Sequence, residues 1–228
     1  MTGADEIDIL IPAYNEADRL PATIAAVRRA APGRVIVVDD GSHDGTAEAA
    51  RAAGADVVLT HATNRGKGAA LNTGLAACCA PILLLIDADL GTTASEVAPL
   101  VEAVRAGRCE MAVAAFPRTR RKSGVGLAQG MARRGIERRT GRAFASPLSG
   151  QRCLRRADVE ALGGFAEGFA VEVALTLGVL GLGRRVEEIP LPLSHRKTGR
   201  TLDGFLHRAR QAMAIRRALR DVDRRPRT

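Results

Sequence analysis

A chain of 228 residues, 46% hydrophobic and 26% charged, has the length and balance of a globular domain with a sizeable core. No stretch approaches the roughly 18 apolar residues that cross a bilayer, and the start MTGADEIDIL lacks the basic end and apolar centre of a signal peptide. The net charge of +9 favours phosphate-bearing partners, yet 3% aromatic residues leave almost no stacking platform and residues 1–116 carry 9 Lys/Arg against 15 Asp/Glu, which argues against a nucleic-acid binder.

In chain order, β-type runs are predicted at Ile7–Pro12, Arg34–Asp40, Ala55–His61, Pro81–Asp89 and Met111–Phe116. Ala-rich stretches of helical spacing separate them, over Leu20–Ala31, Thr46–Ala53, Gly68–Cys79 and Ser95–Ala106. Strands alternating with helices of this length predict βαβ units on a largely parallel sheet. Such sheets bind ligands at the carboxyl ends of their strands. There the sequence places AYNEAD after the first strand, DDGSHDGT after the second, NRGKG after the third and DADLG after the fourth. The cysteines Cys78, Cys79, Cys109 and Cys153 form no C-x-x-C and read as reduced thiols, which predicts a cytoplasmic setting.

Read as extended backbone, ILLLIDADLG puts Asp87 and Asp89 on one face about 7 Å apart, where their charges repel by roughly 2 kcal/mol at an effective dielectric near 20. A strand exit where Asp caps a turn or a helix is the plain alternative. A hard divalent cation would offset the repulsion, because Mg²⁺ and Mn²⁺ take one or two carboxylates and complete their sphere with water and phosphate oxygens. In DDGSHDGT, Asp44 or Ser42 can cap the next helix, but capping does not explain the pair Asp39–Asp40. NRGKG offers Arg65, Lys67 and two glycines at a helix N-terminus, which suits phosphate. It is not a Walker loop, since His61 stands where the first glycine belongs and no Ser/Thr follows Lys67. The absence of G-x-G-x-x-G after the first strand argues against a nicotinamide dehydrogenase. A nucleoside diphosphate held by metal fits all four loops together.

The second half is less regular. Residues 117–142 carry nine basic residues against Glu137 alone, and residues 196–228 carry 11 against three acidic ones. The block Arg118–Arg142 reads as a basic loop and helix that repels itself, expected to be mobile until it orders over an anionic acceptor. LSGQRCLRR is expected to return to the sheet as a strand, Ala157–Leu162 to form a short helix, and Ala170–Leu180 a buried one. RRVEEIPLPL reads as a strand stopped by Pro190 and Pro192. From Thr201 the pattern is an amphipathic basic helix, whose cationic side suits an anionic membrane surface and whose alanine-rich side favours packing.

Four segments in order, ILIPAYNEADRL, VIVVDDGSHDGT, NRGKGAALNTG and LLLIDADL, resemble the motif set of family 2 glycosyltransferases with the GT-A fold. The fourth stands in the place of that family's D-x-D metal motif, and the resemblance covers at least residues 7–116. It implies a single α/β domain of GT-A (Rossmann-like) type, with a mostly parallel sheet flanked by helices. Residues 1–116 would form the nucleotide-sugar-binding half, 117–200 the acceptor-binding half, and 201–228 a basic helix and tail. Pro12, Tyr14 and Glu16 would line the nucleotide pocket, Asp39 or Asp40 would contact the base, and Lys67 would lie nearby. Asp87 and Asp89 would hold Mg²⁺ or Mn²⁺ on the diphosphate, which gives Asp89 a catalytic part.

PLSGQRCLRR, and FAVEVALTLGVLGLG followed by LPLSHR, are similar to segments of dolichyl-phosphate-mannose synthase-like and glucosyl-phosphoglycerate synthase-like enzymes. This likeness implies acceptor contacts from Gly150, Gln151, Arg152 and Arg196, and makes His195 the third metal ligand. Glu172 is expensive to bury without a partner, and the likeness makes it an acceptor contact or general base. The plain alternatives are a surface histidine and a glutamate paired with an arginine. The implied activity is metal-dependent transfer of a sugar from a UDP- or GDP-linked donor to an anionic acceptor. That acceptor is either a small phosphorylated or carboxylated molecule or a polyprenyl phosphate. A sugar nucleotidyltransferase is the enzyme alternative, although it would want a Gly-rich basic loop where AYNEADRL stands. Peripheral membrane contact, a homodimer, and inversion or retention at the anomeric carbon all stay open.

Overall fold

Strands covered on both faces read as continuous apolar runs, and IDILIPA does so as β1 (Ile7–Ala13), buried along nearly its whole length. The computed structural model describes residues 6–116, 125–167 and 171–193. Its further strands are β2 (Arg34–Asp39), β3 (Val57–Thr60), β4 (Ile82–Leu85), β5 (Met111–Ala115), β6 (Arg152–Arg155) and β7 (Val186–Pro190). Together they make one sheet in the order β3-β2-β1-β4-β6-β5-β7. Six strands run the same way, and β6 lies antiparallel between β4 and β5.

The helices are α1 (Leu20–Ala30), α2 (Thr46–Ala52), α3 (Lys67–Leu75), α4 (Ala98–Arg105), α5 (Val125–Thr140), α6 (Arg156–Ala161) and α7 (Val171–Gly181). Alternation along the strands sends Ile7, Ile9, Ile11, Val35, Val37 and Leu84 to one face, where α1, α2 and α4 cover them. Leu10, Ile36, Val38, Leu83, Leu85 and Val113 face the other way, against α3, α5, α6 and α7. The mostly parallel α/β sheet implied by the sequence is therefore the observed one. α3 lies close on the sheet because residue 74 is glycine: a Cβ there would collide with Leu10 Cδ1 and stand 3.0 Å from Val38 Cγ2.

Three boundaries differ from expectation for physical reasons. β4 ends at Leu85 and not at Asp89, because Leu85 is its last residue paired on both sides, with Leu10 of β1 and Arg152 of β6. One more bond, from the Ile86 N–H to the Leu10 carbonyl at 3.1 Å, precedes a turn at Ala88–Asp89. The two aspartates thus do not share the face of a strand. The helix expected over Ser95–Ala106 is a 3₁₀ segment (Gly91–Val97) followed by α4, since Pro99 lacks the N–H that would bond back to Ser95. α3 stops at Leu75, short of the expected Cys79.

The basic block Arg118–Arg142, expected to be mobile, is described from Val125, where α5 begins; residues 117–124 lie outside the described residues, as does the helix expected from Thr201. Pro190 closes β7, one of the sheet's two edge strands, where proline is tolerated. At the opposite end of the strands from the polar loops, the buried Asp8 carboxylate accepts the Cys79 and Ala80 N–H groups at 2.6 and 2.8 Å and pairs with Arg34 at 3.0 Å. Asp8→Ala strands those donors, and urea unfolding is expected to show a loss of about 3 kcal/mol.

Candidate functional site

The polar loops gather at the carboxyl ends of β1, β2, β3 and β4, where an open parallel sheet takes its ligands. The loops after β1 and β2 are stitched into one surface. Asn15, at φ 55°, accepts the His43 N–H through its side-chain oxygen at 3.0 Å and donates its own N–H to Ser42 Oγ at 2.9 Å. Glu16 N–H donates to Thr46 Oγ1 at 2.9 Å, and Ala17 N–H to Asp44 Oδ2 at 3.1 Å. Asp44 also accepts the Thr46 N–H at 3.1 Å in the turn before α2, whose cap position is Gly45 with no side-chain cap bond, in place of the Asp44 or Ser42 cap expected. Tyr14 stands on this surface with 45% of its area exposed, while Pro12 lies in the pocket wall.

The Asp39–Asp40 pair separates into two jobs. Asp39 Oδ1 accepts the Ser42 N–H at 3.0 Å, which leaves its side chain among the candidates for base recognition. Asp40 turns inward. Its Oδ1 accepts the Arg65 N–H at 2.9 Å and contacts His61 Nδ1 at 2.6 Å, and its Oδ2 accepts the Gly66 N–H at 2.7 Å. Asp40, expected with Asp39 as a base contact, here holds the protein's own amides and imidazole. The same contacts remove the Arg65 and Gly66 amides from the phosphate cradle that NRGKG suggested.

The charged centre is Lys67, the first residue of α3. Its Nζ donates to Asp87 Oδ1 at 2.6 Å and to Glu172 Oε1 at 2.8 Å. Loss of solvent lowers the Lys67 pKa, but the two carboxylates outweigh it and hold the ammonium above its ordinary value. Glu172, in the first turn of α7, has a side chain only 12% exposed and is paired with a lysine, not with the arginine expected of a bland residue. Asp87 Oδ2 accepts Gln151 Nε2 at 2.6 Å. Gly150 backs onto the group so closely that a Cβ would fall inside contact distance of both Asp87 oxygens and Lys67 Nζ. Pro12, Leu71, Phe165 and Leu175 supply the apolar wall of the same pocket.

Arg152 lines the same pocket while being only 1% exposed. Its guanidinium donates to the Ser149 and Pro147 carbonyls at 2.8 and 3.1 Å and to Thr176 Oγ1 at 2.8 Å. Burial pushes its pKa down to about 10, against the pull of Glu172, Glu188 and Asp87. Beside the acceptor contact expected of it, Arg152 has a supporting part: it fixes the turn that presents Gly150 and Gln151, and braces α7 beneath Glu172.

Asp89 is placed by α1. The buried Thr23 hydroxyl donates to the Ala88 carbonyl and accepts the Gly91 N–H, both at 2.8 Å, while Arg19 donates to the Asp89 carbonyl at 3.0 Å. As metal donors, Asp87 and Asp89 are hard oxygens of the type Mg²⁺ and Mn²⁺ prefer. Among the described residues no group of three or more His, Cys, Asp or Glu gathers into a metal cluster. Two carboxylates nevertheless fit a cation that draws its remaining ligands from phosphate and water. His195 and Arg196 lie outside the described residues.

Two contributors were not singled out from the sequence. Asn72 forms a two-way pair with the backbone of Phe165, Nδ2 to the carbonyl at 2.9 Å and Oδ1 from the N–H at 2.8 Å, tying α3 to the segment before α7. His61 is the other, and its one sequence signal is a polar residue ending the VVLT run just before NRGKG.

A sheet that collects carboxylates, a lysine and glycine turns at its strand ends is a ligand-binding α/β fold. The sequence profile described as Glycosyl transferase family 2 matches residues 8–155, and the chain belongs to that family. An uncharacterized glycosyltransferase of Mycobacterium tuberculosis is 38% identical over 97 residues, 42% of this chain and 43% of that protein. The undecaprenyl-phosphate 4-deoxy-4-formamido-L-arabinose transferase of Aeromonas hydrophila is 35% identical over 113 residues, 44% of this chain and 34% of that one. The chain spans under half the length of these curated relatives. Among solved structures, glucosyl-3-phosphoglycerate synthase of Mycobacterium tuberculosis, in complex with Mn²⁺, UDP-glucose and phosphoglyceric acid, superposes with a TM-score of 0.80 at 26% identity, over 97% of this chain and 81% of that one.

Gly150→Ala tests the packing of the charged centre. The added methyl must part Lys67 from Asp87, so a crystal structure of the variant is expected to show that contact broken, with about 1–3 kcal/mol lost in stability.

Proposed function

We propose that the chain is a divalent-metal-dependent glycosyltransferase that moves a hexose from a uridine-diphosphate sugar to a small acceptor bearing phosphate or carboxylate. The observation that carries this reading is Lys67, whose ammonium joins Asp87, on the side of the D-x-D-like turn, to Glu172, on the side of α7. One cation thereby links a donor side and an acceptor side within a single pocket. Support comes from the likeness to a synthase crystallised with Mn²⁺, UDP-glucose and phosphoglyceric acid, which extends over 97% of this chain.

In this reading Asp87 and Asp89 would hold the cation, with His195 as a third ligand, and a bound metal would supply positive charge against the leaving diphosphate. Asp39 receives the base at the surface built by the first two loops, with Pro12 and Glu16 beside it, and the exposed Tyr14 ring offers it an apolar face. Lys67 stays protonated beside its two carboxylates and places positive charge where the diphosphate sits. Glu172 faces the same pocket and orients the acceptor hydroxyl, taking its proton as the new glycosidic bond forms. Gly150 leaves the room that any side chain would fill, Gln151 steadies Asp87, and Arg196 joins the acceptor side. A polyprenyl-phosphate acceptor is the second reading, favoured by relatives named undecaprenyl-phosphate transferases. Among the described residues no helix is long and apolar enough to cross a membrane.

Incubation with a panel of sugar nucleotides and Mn²⁺, with phosphoglycerate and polyprenyl phosphate offered separately, is expected to give a hexosyl product of the small acceptor by mass spectrometry. Transfer only to the lipid phosphate would move the assignment to the second reading. Asp89→Ala is expected to weaken UDP binding in Mn²⁺ about tenfold or more by calorimetry, and unchanged affinity in that variant or in excess EDTA would sink the metal role. Glu172→Gln keeps the shape of the side chain but not its basicity. Its transfer rate is expected to fall about 100-fold or more while UDP affinity stays near that of the parent.

A further inference from the structure

Behind the charged centre lies a buried relay that touches none of the pocket. Asp40 directly follows β2, His61 directly follows β3, and Thr73 belongs to α3. His61 Nδ1 is 2.6 Å from Asp40 Oδ1 and its Nε2 is 2.9 Å from Thr73 Oγ1, and the Asp40 and His61 side chains are 5% and 6% exposed. An ionised carboxylate only accepts, so the contact with Asp40 places a proton on Nδ1, while Nε2 meets the Thr73 hydroxyl. The imidazole is thereby fixed at both ends.

What this arrangement holds is the segment that leads into Lys67. Asp40 accepts the Arg65 and Gly66 N–H groups, the last two before α3 begins, where a negative charge also suits the positive end of the helix. Gly66 takes φ 91°, a conformation reserved in practice for glycine. From the other side Gly41, at φ 77°, presses so close that a Cβ there would stand 2.6 Å from the Thr63 carbonyl carbon and 2.8 Å from the Asn64 nitrogen. The segment 63–66 is held between Gly41 and the Asp40 carboxylate. Both oxygens of Asp40 serve this loop, and His61 is the third donor that sets the plane of the carboxylate.

We propose that His61 is a positioning residue for the transfer reaction: through Asp40 it fixes the Arg65–Gly66 turn, and through that turn it sets where the Lys67 ammonium meets Asp87 and Glu172. The proposal rests on the function assigned above to that site. Removing the imidazole frees the carboxylate to rotate, the two amides lose their acceptor geometry, and Lys67 starts from a shifted position. Misplacement of a catalytic group by about 1 Å costs on the order of 100-fold in rate. Asparagine at position 61 still donates to Asp40 but cannot reach Thr73, so it separates the two halves of the relay.

The test uses the full chain in three variants, read by amide hydrogen exchange at Arg65 and Gly66 and by the kinetics of transfer. His61→Ala is expected to raise exchange at both amides and to lower kcat about tenfold or more, with the KM for the small acceptor little changed. His61→Asn is expected to restore protection at Gly66 and most of kcat. Thr73→Val, which leaves Asp40 its donor, is expected to give a smaller rise in exchange, and it keeps the question answerable if the alanine variant does not fold. Parent-like exchange and kcat in His61→Ala, or no recovery in His61→Asn, would overturn the proposal and leave His61 as a packing residue. If the parent itself transfers no sugar, the functional reading fails, and exchange at Arg65 and Gly66 still decides whether His61 governs the turn.

Discussion

The ammonium of Lys67 is shared by two carboxylates from distant parts of the chain. Asp87 belongs to the turn after β4 and Glu172 to α7, 85 residues later, and without a cation between them they would repel across a partly desolvated pocket. Much of the surrounding architecture follows from keeping Lys67 there. Gly74 lets α3 lie against Leu10 and Val38, and Gly68 lets its first turn approach the Ala166–Glu167 backbone. Asn72 pairs with Phe165 as one strand residue pairs with another. The start of α3 is thus fixed against the segment that leads to α7, and a flexible lysine acquires a defined reach.

A second layer does for the neighbours what this packing does for Lys67. Gln151 orients Asp87, Arg152 ties the turn containing Gly150 to α7, and Glu188 of β7 accepts the Ala145 and Ser146 N–H groups, both at 2.7 Å. Arg152 meets no carboxylate directly, and its charge is spread over carbonyls and a hydroxyl in a region already holding Asp87 and Glu172. A buried cation in that position lowers the electrostatic cost of keeping both acids ionised.

The first half of the fold was legible because its strands are apolar runs of the length a covered parallel strand requires, separated by helical periodicity and punctuated by glycine. The loops were legible as a group for the same reason: four polar segments at one sheet edge can only converge. Their internal division of labour was not. DD reads alike at both positions, and only the structure shows Asp39 beside Ser42 and Asp40 beneath the start of α3. The aspartates of DADLG looked like neighbours on one strand because periodicity does not report where a strand loses its partners, which here is Leu85. The burial of Arg152 was not legible, because nothing in Gln151 or Cys153 beside it marks an arginine as enclosed. Glu172 stood out for the opposite reason, as a lone acid in an apolar helix.

β6 closes the sheet from its middle. It is the sixth strand in sequence, yet it lies between the fourth and fifth, pairing Leu83–Leu85 on one side and Met111–Val113 on the other. During synthesis β4 and β5 therefore emerge with no strand between them, and their facing edges wait for a segment some 40 residues beyond β5, whose arrival carries a long loop-closure entropy. Until then two apolar edges are open to pairing with other chains. The profile match ends at Arg155, the last residue of that strand. The smallest stretch of this chain that can complete its own sheet interior thus runs from β1 through β6, as far as Arg155.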